Sequence, residues 1–488
     1  MNKPIRTISL FCLLLFVALL VNSTYLQYGR AEGLDNDARN RRIIEASYSR
    51  ERGAILVGRD PIAQSVPSDD RFEFLRTYPE PFKYAPITGY FSFYDQTGTE
   101  RTQNDVLSGD DSSLFVSNLV DLLSNESGKG ASVQLTVDPA AQDAAYAGLS
   151  SLPGDVRGSV VALEPATGKI LAMVSLPTYD PNLLASHDLE QVGEDYDRLQ
   201  GEEGQPLLNR ATQQTLPPGS TFKVVTAAAA IESGLYAGTD DVPGGATYQL
   251  PLTSGETGEI DNEGRDCGTE EIPFTQAMEN SCNTTFAALG VQVGAEGLRE
   301  QAEAFGFNSD YLEDLRPQAQ SVFPTEANEP QAGQAGIGQY EVRATALQMA
   351  MVVAGIGNRG TVMRPYLVDE VQSPEFDVLE QRDPEELSRA VSASTAGQLT
   401  DLLVSTVDDG TASPAAIPGF SVAGKTGTAQ SGQDDVPPYA WFVSFAPADD
   451  PQVAVAVMIE SADIPRGEIA GGQLGGPIAK AVMEAVIK

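Results

Sequence analysis

The sequence predicts an α+β fold, in which one antiparallel sheet is flanked by helices and joined to an all-helical lobe. A small β-rich module and a single apolar anchor precede this main domain, which we place at residues 156–488. Strand patterns lie at both ends of that region and helix patterns lie between them, as expected when the two ends of a chain meet in one sheet. The predicted helices cover residues 221–234, 273–290, 294–305, 341–356 and 393–407.

The predicted sheet begins with a hairpin near the start of the main domain. Residues 159–163 and 169–174 are largely apolar and are separated by a short turn that ends in glycine. Near the other end of the chain, three further β-patterned runs are separated by turns rich in Gly and Pro, which favours an antiparallel meander. These runs cover residues 421–428, 439–446 and 452–459.

An apolar stretch near the N-terminus predicts a transmembrane anchor at residues 8–28. It is about as long as a helix that crosses a bilayer, and Lys3 and Arg6 precede it. Positive charge before the span places residues 1–7 in the cytoplasm and everything after the anchor outside it. A cleaved signal peptide is the alternative, but no small-x-small cleavage site follows the apolar run.

Residues 29–155 are predicted to form a non-catalytic module that serves as a pedestal or an interaction surface. A polar segment at 29–44 predicts a juxtamembrane helix or a linker. Between residues 52 and 109, Gly and Pro turns alternate with aromatic residues, which favours short strands. An amphipathic helix at 112–124 and an alternating strand at 132–137 complete the module.

The composition excludes several classes of function. The chain has 68 Asp and Glu against 31 Lys and Arg, so a nucleic-acid partner is excluded because phosphate binding needs a basic surface. The single histidine, His187, is expected to be a solvated loop residue rather than a catalytic base, and no G-x-S-x-G elbow accompanies it. With one His and three scattered Cys, the sequence predicts neither a metal site nor a cofactor.

Two cysteines are candidates for a disulfide. Cys12 lies in the anchor, which leaves Cys267 and Cys282 together in an oxidising compartment. We expect these two residues to be bridged; two free thiols are the alternative.

One serine of the chain stands three residues before a lysine, in the run Pro217-Pro218-Gly219-Ser220-Thr221-Phe222-Lys223. The Pro-Pro-Gly turn and the Ala-rich run after it predict a helix start, where i,i+3 spacing brings Ser220 and Lys223 to one face. The following residues, 224–231, are apolar apart from Thr226, so the helix should be buried. A lysine desolvated in this way has its pKa lowered and can act as the base for a serine nucleophile.

Two further motifs suit the same chemistry. Ser281-Cys282-Asn283 lies in a loop before a helix, and Lys425-Thr426-Gly427-Thr428 lies on a predicted strand. Lys425 would lower the pKa of Lys223 by like-charge repulsion and can bind a substrate carboxylate. Ser281 can relay a proton to the leaving amine, and Asn283 can hydrogen-bond the substrate backbone.

An acyl-transfer site also needs donors for the oxyanion. The backbone N–H groups of Ser220 and Thr428 are the candidates, and loss of one such donor typically costs on the order of 3 kcal/mol. Thr426 is a further substrate-binding candidate beside them. Gly427 would let the substrate approach the strand edge closely.

This trio of motifs is the set found in penicillin-binding proteins and serine β-lactamases. The chain resembles the class B penicillin-binding proteins over nearly its whole length, and most closely the actinobacterial penicillin-binding protein A type. Apart from the three motifs, the resemblance includes Arg52-Gly53-Ala54-Ile55, Gly98-Thr99-Glu100, Leu135-Thr136-Val137-Asp138, Tyr179-Asp180-Pro181-Asn182, Asn209-Arg210 and Gly338-Gln339. Two departures are a short N-terminal module and the cysteine within the S-x-N motif.

The resemblance implies a penicilloyl-serine transferase fold and a D,D-transpeptidase that cross-links peptidoglycan stem peptides in division or elongation. It also implies acylation by β-lactams, attachment to the cell membrane, a RodA-type glycosyltransferase partner and no cofactor.

Three other functions can be compared with the residues that each of them would require. A serine β-lactamase or D,D-carboxypeptidase shares the acylation apparatus, but the glutamate of an E-x-x-L-N motif is replaced by Gln205 in Gln205-Pro206-Leu207-Leu208-Asn209, which precedes Ser220. A non-catalytic β-lactam sensor needs a cytoplasmic output domain, and residues 1–7 are too few. A scaffold with a decayed site is disfavoured because all three motifs keep their functional side chains.

Overall fold

The computed structural model describes residues 2–30, 48–111, 129–255, 258–432 and 436–487. The helix predicted at 112–124 and nearly all of the segment 29–44 lie outside these residues. The helices are Asn2–Thr24, Pro81–Thr88, Gly98–Thr102, Asn104–Ser108, Pro139–Ser150, Asn182–Ala185, Leu189–Gly201, Arg210–Gln213, Lys223–Glu232, Phe274–Glu279, Asn283–Ala304, Glu329–Gly336, Ala346–Gly357, Ala393–Asp408 and Gly471–Val486. The strands outside the two main sheets are the short pairs Asp241–Pro243 with Glu271–Pro273, Thr247–Gln249 with Glu259–Asp261, and Thr361–Met363 with Glu386–Arg389.

A five-stranded antiparallel sheet lies at the centre of the larger part of the molecule, and we call it the central sheet. Its strands follow the order Ala423–Ala429, Tyr439–Ala446, Val453–Ser461, Arg157–Leu163 and Ile170–Leu176. The two ends of the main domain therefore meet in one sheet, with Ala456 opposite Val161 where they join. The predicted hairpin and meander are both confirmed, with small differences at the strand ends.

Helices cover both faces of the central sheet. Val455 points to one face and packs with the helices Pro139–Ser150 and Gly471–Val486. Its neighbour Ala456 points to the other face, where Ala346–Gly357 packs. This alternation follows from the two-residue period of a strand, and it explains why consecutive residues of the middle strand Val453–Ser461 are apolar, rather than every second one.

The helix Gly471–Val486 is not among the helices predicted from the sequence. It contains four glycines and Pro477, all poor helix formers. A Cβ atom at Gly475 would stand 2.6 Å from Cβ of Phe442 on the central sheet, so a larger residue there would separate helix and sheet. Tertiary packing, and not helix propensity, stabilises this element.

A second sheet of six strands combines distant parts of the chain. Its order is Val378–Gln381, Val368–Gln372, Ser132–Leu135, Ile55–Val57, Asp60–Pro67 and Phe74–Thr77. The first two strands come from the sequence assigned to the main domain, and they extend the sheet of the N-terminal module by antiparallel pairing. The division of the chain at residue 155 stays a prediction.

A buried carboxylate joins two N-terminal segments of this module. Glu100 accepts hydrogen bonds from Nε of Arg52 at 2.7 Å, Nε of Arg76 at 2.6 Å and the hydroxyl of Tyr78 at 3.1 Å. Burial raises the pKa of Glu100, but the charges of Arg76 and Arg52 outweigh it and hold the pKa below its usual value. The Arg-Gly-Ala-Ile and Gly-Thr-Glu segments are thus parts of one ion-pair network.

His187 is not the solvated loop residue that the sequence predicts. Its side chain is 12% exposed, and its ring packs against Tyr48 and Phe72 with centroid distances of 5.5 and 4.8 Å. Its Nδ1 atom contacts the carboxylate of Asp70. The loop carrying His187 folds against an aromatic cluster of the N-terminal module, a long-range contact that its polar neighbours in sequence do not reveal.

The N-terminal helix Asn2–Thr24 continues into a π-helical turn, Tyr25–Gly29. By length and composition, Lys3–Gly29 is able to cross a membrane, and it makes no buried contact with the rest of the described chain.

Candidate active site

The predicted nucleophile lies on a short 3₁₀ turn, Gly219–Phe222, that leads directly into the helix Lys223–Glu232. Side chains at i and i+3 are eclipsed in a 3₁₀ helix, so Ser220 and Lys223 share a face. The helix is buried on all sides from Lys223 to Ile231, as its sequence predicts. We call it the nucleophile helix.

Lys223 connects the first motif to the second. Its Nζ atom donates to the carbonyl of Ser281 at 2.7 Å, to Oγ of Ser281 at 3.2 Å and to Oδ1 of Asn283 at 2.7 Å. Burial, followed by the positive charges of Lys425 and Arg265, holds the pKa of Lys223 well below its usual value. A neutral amine is therefore accessible at this position, and a neutral amine can accept the proton of a serine.

The second motif, Ser281-Cys282-Asn283, is restrained by a disulfide and by a hydrogen bond of its last residue. Ser281 has a φ of 54°, in the left-handed region where a non-glycine residue costs of order 1–3 kcal/mol. The next residue, Cys282, is bonded to Cys267, so the motif is tied to the loop that precedes Cys267. Asn283 begins the helix Asn283–Ala304, and its Nδ2 atom donates to the carbonyl of Asp261 at 3.0 Å.

The third motif lies on the edge strand Ala423–Ala429 of the central sheet, which we call the K-T-G strand. Lys425 is completely buried and donates to the carbonyl of Thr426 at 3.1 Å. Burial, and then the charge of Arg265, lower the pKa of Lys425 to about 7.

Gly427 has a packing role that the sequence does not reveal. A Cβ atom there would stand 2.9 Å from Cγ2 of Thr221 and 3.0 Å from the carbonyl of Pro218. The K-T-G strand therefore lies directly against the turn that carries Ser220, and only glycine allows this approach without a shift of one or the other.

A cavity of about 140 Å³ lies where the three motifs meet. Its lining includes five residues predicted from the sequence, namely Ser220, Ser281, Asn283, Thr426 and Thr428. Lys223 and Lys425 lie behind this wall rather than in it. The fold thus brings the predicted nucleophile, proton relay and substrate-binding side chains to one opening.

Five further lining residues are not among the site residues predicted from the sequence. They are Glu263, Arg265, Ile337, Gln339 and Gln430. Glu263 and Arg265 belong to the loop that the disulfide ties to the S-x-N motif. Their position just before Cys267 is the signal that could have placed them, since a bridge to Cys282 brings its neighbours to the site.

The comparisons with known proteins agree with this geometry. The penicillin binding protein transpeptidase domain matches residues 158–484, about two thirds of the chain. This chain belongs to the penicillin-binding proteins. A second family, the penicillin binding protein A dimerisation domain, matches residues 52–133.

Relatives of this penicillin-binding protein match it from end to end. The peptidoglycan D,D-transpeptidase PbpA of Mycolicibacterium smegmatis is 42% identical over 494 residues, covering 100% of this chain and 99% of the relative. The PbpA of Mycobacterium tuberculosis H37Rv is 42% identical over 495 residues, with the same shares covered. The predicted resemblance to the penicillin-binding protein A type is confirmed.

Solved structures match the fold as well. Penicillin-binding protein A of M. tuberculosis, as its ceftriaxone acyl-enzyme, has a TM-score of 0.84 and 40% identity, covering 91% of this chain and 100% of that one. Its penicillin G acyl-enzyme has a TM-score of 0.83 and 41% identity, covering 90% and 100%. The predicted penicilloyl-serine transferase fold is therefore confirmed.

Proposed function

We propose that this penicillin-binding protein is a serine D,D-transpeptidase that cross-links peptidoglycan stem peptides through an acyl-enzyme on Ser220. One observation carries the proposal: side chains of all three motifs line one cavity, and Lys223 is hydrogen-bonded to both functional residues of the S-x-N motif. The relatives that carry the name peptidoglycan D,D-transpeptidase over the full length of the chain support it.

Acylation needs a nucleophile, a base and an acid for the leaving group. Ser220 Oγ attacks the carbonyl carbon of the penultimate D-Ala, and its proton passes to neutral Lys223. The bond to the terminal D-Ala breaks, and the proton returns to its amine through Ser281, whose Oγ lies 3.2 Å from Nζ of Lys223. The N–H groups of Ser220 and Thr428 are the proposed donors to the oxyanion.

The second half-reaction transfers the acyl group to an amine. An amino group of a second stem peptide attacks the ester, loses a proton to the same base and releases Ser220. β-Lactams acylate the same serine by opening of their ring, and no cofactor enters either step.

The hydrolytic alternative has less support. The segment that most resembles an E-x-x-L-N motif lies away from the cavity, where the carbonyl of Gln205 accepts from Arg210 and the side chain of Asn209 donates to the carbonyl of Pro86. These residues hold the chain between the N-terminal module and the central sheet. They are not positioned to activate water at Ser220.

The proposed location follows from the N-terminal helix. We place residues 1–7 in the cytoplasm, the anchor at 8–28 in the cell membrane and the catalytic part outside, because Lys3 and Arg6 precede the apolar run. A RodA-type glycosyltransferase in the same membrane would supply nascent glycan strands. The role would be in division or elongation.

Mass spectrometry of the full-length protein treated with benzylpenicillin tests the function. We expect one adduct, on Ser220, that persists over hours, and no adduct in Ser220→Ala, whose fold is retained. An adduct on another serine would overturn the assignment of the nucleophile. An adduct that is lost within seconds would favour the β-lactamase alternative.

A further inference from the structure

Three cationic side chains lie around the active-site cavity, and they differ in their exposure to it. Lys223 and Lys425 are both 0% exposed and lie behind the wall. Within the described ranges, Arg265 is the cation of the lining itself, with a side chain that is 27% exposed. A negatively charged group that enters the cavity therefore meets Arg265 first.

The guanidinium group of Arg265 is held in place on one side. Its Nε atom donates to the carbonyl of Asn262 at 2.8 Å. That residue is 3% exposed, and its own side chain is bonded to the carbonyl of Gly245 at 2.8 Å and to Oγ1 of Thr284 at 3.1 Å. Because the carbonyl is fixed by this buried network, part of the cost of ordering the arginine is met before a ligand binds.

The outer part of the same group is available to a ligand. Its Nη2 atom donates to Oε2 of Glu263 at 3.0 Å, and no described residue accepts a hydrogen bond from Nη1. The side chain of Glu263 is 58% exposed, so this ion pair is a weak, solvent-screened one. A carboxylate that binds both Nη atoms can replace Glu263, because a planar guanidinium matches a carboxylate with two parallel hydrogen bonds.

We propose that Arg265 is a specificity-determining residue of the transpeptidase reaction, which binds a carboxylate of the acyl donor beside Ser220. The proposal rests on the proposed function and names a recognition group for it. Glu263 is then the competitor of the substrate carboxylate for the same guanidinium.

The other cations support this assignment by their positions. Lys425 donates to the carbonyl of Thr426 within its own strand, so its positive charge influences the cavity without lining it. The Nζ atom of Lys223 is hydrogen-bonded to Ser281 and Asn283 of the S-x-N motif. In a chain of net charge −37, a permanently charged arginine at the opening also offsets the repulsion that an anionic substrate meets elsewhere on the surface.

The test compares one β-lactam with and without its charge. The second-order acylation rate constant of the full-length protein is measured for benzylpenicillin and for its methyl ester. Arg265→Gln should lower the constant for the acid by about 10- to 100-fold, as expected for loss of a hydrogen bond between charged groups, and should change the constant for the ester by less than about threefold. The ratio of the two constants is the readout, because an effect of Arg265 on the pKa of Lys223 alters both probes alike.

Three companion variants separate recognition from folding. Glu263→Gln should raise the acid-to-ester ratio, opposite in sign to Arg265→Gln, because it removes the competing carboxylate. Arg265→Lys should recover part of the ratio. Arg299→Gln is the matched control: it removes the same charge from the helix Asn283–Ala304 at a site 3.9 Å from Glu303 and outside the cavity, and should leave the ratio unchanged.

Two pairs of thioester acyl donors identify which carboxylate of the substrate binds Arg265. In the first pair the leaving group carries either a carboxylate or the corresponding amide. In the second pair the residue before the D-Ala carries either a side-chain carboxylate or the corresponding amide. Arg265→Gln should reduce the preference for the charged form in one of the pairs, and that pair names the source. Equal losses for charged and neutral forms with every probe, or no loss with any, would overturn the proposal. In that case an intact benzylpenicillin adduct on Ser220 would show that the proposed function still stands.

Discussion

The Nζ atom of Lys223 lies 2.7 Å from the Oδ1 atom of Asn283, so the proposed base of the first motif is hydrogen-bonded directly to the last residue of the second. The amide of Asn283 also donates to the carbonyl of Asp261 in the disulfide-tied loop. A displacement of that loop would therefore move Asn283, which is a hydrogen-bond partner of Lys223. The site is one hydrogen-bonded unit rather than three independent motifs.

Lys223→Met should slow acylation of Ser220 severely while the helix stays buried. Methionine is unbranched and of similar length, so it fills the space of the lysine side chain, but it cannot act as the base. General bases contribute about 10²–10⁴-fold, and we expect a loss in or above this range in the rate constant for benzylpenicillin at pH 7. Stopped-flow acylation with circular dichroism as the check on folding measures it. A near-normal rate would mean that another group is the base.

Lys425→Met should change the pH dependence of acylation. Lys223 must be neutral to act as the base, so the rate rises with pH through its pKa. The charge of Lys425 lowers the pKa of Lys223, and its removal therefore raises that pKa and moves the acidic limb of the profile to higher pH. The methyl ester of benzylpenicillin is the suitable probe because it has no carboxylate to lose contacts. An acidic limb that stays in place would contradict the coupling.

Gly427→Ala should damage both stability and acylation. The added Cβ atom would stand 3.0 Å from Cβ of Trp441 as well as against the turn that carries Ser220. Overpacking of this kind costs about 1–3 kcal/mol of the free energy of unfolding, and a shift of the turn displaces the nucleophile. Urea unfolding and acylation kinetics would be measured together.

The control for this prediction is Gly397→Ala in the helix Ala393–Asp408, where no atom outside the adjacent residues and the nearby helix backbone lies within 4 Å of the new Cβ. That change should stabilise the protein by about 0.5–1 kcal/mol and leave acylation unchanged. If Gly427→Ala behaved in the same way as the control, the close approach of strand and turn would not matter to the site.

Local patterns predicted the strands of the central sheet, the nucleophile helix and the members of the three motifs, because apolar periodicity and motif spacing depend on residues that are close in sequence. They did not predict the strand Val368–Gln372 or its pairing with the N-terminal sheet, since that pairing depends on residues far apart in sequence. Arg265 was missed for a related reason. Its position just before Cys267 was the signal available in the sequence, and only the fold shows that it lines a cavity with Ser220.

The last prediction concerns the disulfide between Cys267 and Cys282, which closes a loop with a sequence separation of 15 residues. The chain-entropy account gives such a bridge about 3 kcal/mol of stabilisation. Its second cysteine stands between Ser281 and Asn283, and Arg265 lies two residues before its first cysteine. We therefore expect its loss to affect the chemistry more than the fold.

A Cys12→Ser background provides a chain whose only thiols come from this bridge, and Cys267→Ser in that background removes it without a reductant. Acylation by benzylpenicillin should fall at least tenfold while the far-ultraviolet circular dichroism at 25 °C changes little, because Ser281 is held in a left-handed conformation that the bridge helps to maintain. Reduction of the parent protein should reproduce the loss, and reoxidation should restore it. An unchanged rate after complete reduction, or two free thiols in protein exported by its native host, would show that the bridge plays no part in catalysis.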